Sequence, residues 1–241
     1  MLLGDILQRV QSLYSKGVQS DDTRLVNRHI YSAVTTARNV LLRQKADKGQ
    51  IISDWSYQTL PCAELEKAPL HECPCVPVPG CIILRTKHKI PKPITNLDSH
   101  MIKTVMTIDG SITFDETTYE DEKYSKGNKF TSKIPKWFPH NERVYITIVK
   151  QLKAVAIKGL YDDFVAAKLF PSICVNECPD CCEDILDMEF PLEGDSIRPL
   201  IQLANEELII IMKQLTEDRL SNSQDDDMPT GMVHQPNPAR R

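Results

Sequence analysis

Long apolar runs are missing from this sequence. No stretch of its 241 residues approaches the roughly 18 consecutive apolar side chains that a membrane-spanning helix needs. The opening Met-Leu-Leu-Gly-Asp carries no positive charge, and Asp5 interrupts its apolar run, so it does not read as a secretory signal. Glycine is scarce: nine residues, scattered singly, leave no loop to cradle a phosphate. His-Glu-x-x-His and Gly-x-Ser-x-Gly are absent too. No motif sets His71, His88, His100 or His140 beside a thiol as its base, which makes enzyme the weakest class. There is no internal repeat, which excludes a solenoid. An excess of positive charge is also lacking: 29 Lys and Arg against 33 Asp and Glu give a net charge of −4, which opposes indiscriminate binding to DNA.

What is present is an ordinary composition for a soluble, cytoplasmic protein. At 41% hydrophobic residues the chain can bury a core, and its length suits one elaborated domain or two small ones. The organising stretch is Ser20 to Lys48. Ser20, Asp21 and Asp22 make a helix start, since short oxygen-bearing side chains accept the free amide protons of a first turn. Val26, Ile30, Ala33, Val34, Ala37 and Leu41 then recur at spacings of three and four, an apolar stripe along one helix face. From Arg24 to Lys45 every charged residue is basic: Arg24, Arg28, Arg38, Arg43 and Lys45. A uniformly basic face meets phosphates, solvent or another subunit. The acidic whole favours the last two.

A second amphipathic pattern, Leu3, Ile6, Leu7, Val10 and Leu13, precedes it and breaks at Ser15 to Gly17. Prolines at 61, 69, 74, 77, 79, 91 and 93 then exclude a long helix. Strands are predicted at 81–87, at 102–108 and 111–114 around the turn-forming Asp109-Gly110, and at 143–149 with 153–158 as a further antiparallel pair. Trp55 and Trp137 are the expected anchors of this section's core. Residues 115–136 are charged, acidic and then basic, and read as a solvated or partner-contacting loop. A short helix is predicted over 162–170. A second strong helix runs from Ser196 to about Leu220, with the stripe Ile197, Leu200, Ile201, Ala204, Leu208 and Ile211. Its Leu208 to Met212 segment is apolar nearly all round and needs more than one neighbour to cover it. Beyond Ser221 the composition is that of a flexible tail.

These patterns predict an α+β fold. Residues 1–48 give the N-terminal helices of a bundle, 49–195 a β-rich insertion with the cysteine clusters, 196–220 the C-terminal bundle helix and 221–241 the tail.

Eight cysteines are many for a reducing compartment, where close pairs are more often metal ligands than disulfides. Cys178-Pro-Asp-Cys181 has the spacing of half a structural zinc site, and Cys73 with Cys75 can supply the other half. The alternative is buried free thiols or an occasional disulfide. A structural zinc on Cys73, Cys75, Cys178 and Cys181 would staple two loops and have no catalytic role, since no open ligand position or base accompanies it.

Four segments carry a family resemblance: Tyr-Ser-Lys-Gly-Val-Gln-Ser-Asp-Asp-Thr-Arg-Leu-Val-Asn-Arg from Tyr14, Trp-Ser-Tyr-Gln-Thr-Leu-Pro-Cys from Trp55, His-Glu-Cys-Pro-Cys from His71, and Ile-Arg-Pro-Leu-Ile-Gln-Leu-Ala-Asn-Glu-Glu-Leu from Ile197. Together they resemble the ring, or adaptor, proteins of the head-to-tail connector of crAss-like bacteriophages, over nearly all of the chain but its tail. The resemblance implies a structural virion protein, assembled in the host bacterial cytoplasm, with no membrane partner. It would form a closed ring of identical subunits, dodecameric like a portal, below the portal protein and against other connector ring and tail proteins. Genomic DNA would pass through its channel without sequence-specific binding, past a mixed or acidic lumen drawn from Asp115 to Glu122. It also implies a bundle with a β-containing insertion and a C-terminal extension docking on the portal. Arg24, Arg28, Arg38, Arg43, Leu208, Ile210, Arg240 and Arg241 are the expected portal or ring contacts. The competing reading is a zinc-stapled, oligomeric DNA- or protein-binding regulator.

Overall fold

The computed structural model describes residues 1–17, 25–69, 83–96, 99–121, 134–147, 152–174 and 184–225, the side chains of 213–225 excepted. Its centre is a closed barrel. The strands are β1 (Gln58–Lys67), β2 (Ile83–Thr86), β3 (Ile102–Thr107), β4 (Thr113–Glu116), β5 (Lys136–His140), β6 (Arg143–Thr147) and β7 (Ala154–Gly159). They join in the order β1-β2-β6-β5-β4-β3-β7, and β7 returns to β1. All pairs are antiparallel except β4 with β5.

Period-two alternation decides which side chains fill the barrel. Val144 and Ile146 of β6 and Trp137 of β5 join Leu60, Val105, Val155 and Ile157 inside. Tyr145 and Phe138, one residue out of phase, stack outside the barrel at 5.2 Å and bury Ile83 with them. Two turns have the backbone their residues suit. Gly110, at φ +69, turns β3 into β4, while Asn141 and Glu142, at φ 49 and 59, make the two-residue turn from β5 to β6. Closure occurs where β7 ends. Gly159 pairs with both Gln58 and Ile102, and a Cβ there would lie 3.2 Å from the Met101 carbonyl oxygen.

The helices are α1 (Leu3–Tyr14), α2 (Asn27–Asp47), α3 (Phe164–Lys168) and α4 (Gly194–Asp225). Leu3, Ile6, Leu7 and Val10 of α1 meet Ile30, Ala33, Val34 and Ala37 of α2 and Leu200, Ala204 and Leu208 of α4 in one core. Ile94, Leu160, Phe164, Phe190 and Leu192 extend that core to the barrel end. The first residues are tied down by main-chain bonds, Leu3 N–H to Met188 O at 2.9 Å and Phe190 N–H to Met1 O at 3.0 Å.

The fold is therefore not the expected helical bundle with a β-rich insertion. Helices from the two chain ends do meet, as their stripes demand, but they form a layer on a closed barrel that has its own core. The predicted pairing of 143–149 with 153–158 is also incorrect: β6 lies between β2 and β5, and β7 between β1 and β3. Each strand therefore has both of its hydrogen-bonding edges taken by others, which leaves no edge for the two to share.

Several boundaries move as well. The Ser20 cap lies outside the described residues, and α2 starts at Asn27 with no side-chain cap. α4 begins at Gly194, two residues before Ser196, and continues to Asp225, past the expected start of the tail. Asp163 caps α3, its carboxylate accepting the amides of Val165 and Ala166 at 2.9 and 3.2 Å.

Candidate assembly surfaces

Of the basic residues expected on one exposed face of α2, Arg28 and Arg43 are exposed and Arg38 is fully buried. The periodicity accounts for this, since Arg38 follows Ala37 and sits one turn beyond Val34, on the side that faces the barrel end. Its Nη1 donates to the Tyr161 carbonyl at 2.9 Å and to Asn39 Oδ1 at 3.2 Å, and its Nε donates to the Pro191 carbonyl at 3.2 Å. Its guanidinium carbon lies 5.9 Å from the centre of the Phe164 ring. Desolvation pushes this guanidinium down to about 10, against the opposing pull of Asp162, so it remains cationic at neutral pH. Arg38 is thus a strut between layers, and it is not available as a surface contact. Arg24, Arg240 and Arg241 lie outside the described residues.

Leu208 and Ile210, expected together as contacts, separate. Leu208 is buried in the helical core, whereas Ile210 is 58% exposed, flanked by the partly exposed Ile209 and Ile211. The helix is apolar around its circumference here, and the described residues of its own subunit cover only one side.

Trp55 reverses an expectation. Trp137 is buried in the barrel, but Trp55 is 84% exposed, and Ile51, four positions earlier, is 93% exposed. Its backbone is nevertheless well held. Ser53 opens the short 3-10 turn Asp54–Ser56, its Oγ accepting the Trp55 amide at 3.4 Å. The Ser53 amide in turn donates to Glu193, which accepts Lys45 Nζ at 2.6 Å. The Lys45 hydrogen bond, then the Ser53 amide, hold the Glu193 carboxyl below the usual glutamate value. Asp54 accepts Lys103 at 2.6 Å and lies 3.4 Å from Lys158. Both ammonium groups also sit over the Tyr57 ring, at 4.8 and 5.9 Å. The sequence signal for an exposed Trp55 was available in Ser53-Asp54, which opens a capped turn rather than a strand.

The cysteines divide. Cys62 and Cys174, neither of them in the expected zinc set, form a disulfide with Cα atoms 5.7 Å apart. Cys62 occupies the bulge where the β1 register shifts against β7, at φ 50. Cys73, Cys75, Cys178 and Cys181 lie outside the described residues. Among the described residues no group of three or more His, Cys, Asp or Glu converges as a metal site, and no described helix is long and apolar enough to cross a membrane. An open cleft of about 420 Å³ between β1, α3 and the segment before α4 is lined by Gln58, Phe164, Lys168, Asp187 and Glu189 among others. Exposed apolar surface held on fixed backbone is the equipment of a subunit that binds proteins.

The family model for phage tail ring protein 2 matches residues 5–228. The chain belongs to this family. It is also 26% identical to Ring protein 2 of Bacteroides phage crAss001 over 197 residues, which cover 79% of this chain and 84% of that protein. Membership makes the chain a phage ring protein and a virion component that works among other virion proteins, and it implies a structural, non-catalytic role.

Proposed function

We propose that this ring protein closes into a homo-oligomeric ring in the head-to-tail connector, below the portal and above the next connector or tail ring, with genomic DNA passing through its channel. The observation that carries the reading is the family match along residues 5–228. A second supports it. The subunit buries a full helical core and a full barrel core, yet leaves Trp55, Ile51 and Ile209 to Ile211 exposed. A ring built from one chain needs two different patches, repeated until the rotation closes. Twelve-fold order would match a dodecameric portal, with Arg240 and Arg241 among the residues proposed to contact it. The family favours this reading over a DNA- or protein-binding regulator.

Negative-stain imaging of the chain co-expressed with its portal protein tests the proposal. The expected result is a ring stacked coaxially on the portal. Images that show no ring of this chain and no co-assembly with the portal overturn it.

A further inference from the structure

Two of the exposed apolar patches differ in shape and charge, one beside the start of α4 and the other near its middle. The first is the Trp55 knob, whose turn is bonded to Glu193, next to the first residue of α4. The second is the Ile209 to Ile211 ridge, about 25 Å further along α4 at 1.5 Å per residue. The knob is flanked by two ammonium groups, Lys103 and Lys158, which share the single carboxylate of Asp54 and leave one positive charge in excess. The ridge is preceded by Glu206 and Glu207, which stand three and four residues before the isoleucines and so share their face. Neither glutamate has an ion-pair partner among the described residues, and burial alone pushes the Glu207 carboxyl up.

From this complementarity we infer that the Trp55 knob of each subunit docks on the Ile209 to Ile211 ridge of a second copy of this chain, with Lys103 and Lys158 facing Glu206 and Glu207. The inference rests on the ring reading above and names the junction that closes the ring. Pairing like patches would set lysines against lysines or glutamates against glutamates, whereas unlike patches are complementary, and a ring repeats that unlike pairing from copy to copy in one direction. Head-to-tail pairing removes both conflicts and buries a tryptophan, the residue type most often central to protein interfaces. It also covers a helical segment whose apolar circumference the described residues of its own subunit leave half open. Because about 25 Å of α4 separates the turn that carries the knob from the ridge, each copy is free to use both at once, which is the requirement for a closed ring.

A photocrosslinking amino acid, benzoylphenylalanine, placed at position 55 of the full chain tests this in assembled rings. Mass spectrometry after irradiation is expected to find position 55 joined to the peptide containing residues 206–212 of another copy. Rings in which position 55 crosslinks to a different segment, to a different virion protein or to nothing overturn this junction and leave the ring reading standing. A chain that forms no ring, alone or on its virion partners, overturns both. A second measurement needs no crosslink. Trp55→Ala and Ile210→Asp alter exposed side chains and are each expected to lower ring yield at least tenfold, with circular dichroism unchanged. Mixed together, they retain one intact knob and one intact ridge and are expected to form a heterodimer that grows no further. A mixture that stays monomeric overturns the pairing of these two patches.

Discussion

Arg38 Nη1 donates to the carbonyl oxygen of Tyr161 at 2.9 Å across 123 positions of sequence, joining the middle of α2 to the segment that leaves the barrel. Together with its bond to the Pro191 carbonyl, it makes one buried cation the joint between the helical layer and the barrel. Arg38→Met keeps the apolar stem but strips both carbonyls of their donor, and a buried acceptor left unpaired costs about 1–3 kcal/mol. Urea denaturation should show a loss of about 2–4 kcal/mol. Arg38→Lys should recover little of it, because one ammonium cannot reproduce the fork of a guanidinium.

Leu208 and Ile210 stand two residues apart on α4 with opposite roles. Leu208→Ala opens a cavity in the helical core and should cost about 2–5 kcal/mol of folding stability. Ile210→Ala removes an exposed side chain and should change folding by no more than about 0.5 kcal/mol, while weakening self-association. Thermal melts and sedimentation velocity on the same two variants separate the effects.

Glu193 makes the barrel-to-helix turn sensitive to acid. Its carboxyl is held below the ordinary glutamate value by Lys45 and then by the Ser53 amide. The folded state therefore binds this proton less readily than the unfolded state. Its contribution to stability is present above the ordinary glutamate value and is lost as pH falls through the lower folded value. Urea midpoints taken from pH 7 down to pH 3 should fall less steeply for Glu193→Gln than for the unaltered chain.

The Cys62–Cys174 disulfide closes a loop spanning 112 positions. Constraining a long loop of the unfolded chain is worth about 2–4 kcal/mol. Under oxidising conditions Cys62→Ser should lower the melting temperature, and under reducing conditions the variant and the unaltered chain should melt together. A difference that persists in reductant would trace to packing at the β1 bulge.

Periodicity revealed the helices because a helix reports its buried face every three to four residues, as Ile30, Ala33, Val34 and Ala37 do. The Asp109-Gly110 turn was legible for a similar reason, since its backbone needs are local. The barrel was not. β1 contains Pro61 and a bulge at Cys62, which break the alternation that identifies a strand, and its partner β7 lies some ninety positions later. Closure depends on such distant pairings, which no local window contains. Arg38 shows the limit at a single residue. It has the spacing of a buried position and the chemistry of a surface one, and burial follows because the ends of β7 and of the segment before α4 supply the carbonyls it bonds. Trp55 is the converse, a core residue type displayed on a capped turn. The family, by contrast, was legible from four short segments whose combination no single element would have disclosed.

The most direct test of the account is a cryo-electron microscopy map of the connector at side-chain resolution. It is expected to show this chain as a closed ring in which the barrel and helical layer keep the arrangement described, with Trp55 of each copy packed against Ile210 of the next. A ring whose neighbouring copies meet through other surfaces, or a particle in which this chain makes no lateral contact with its own kind, would contradict it.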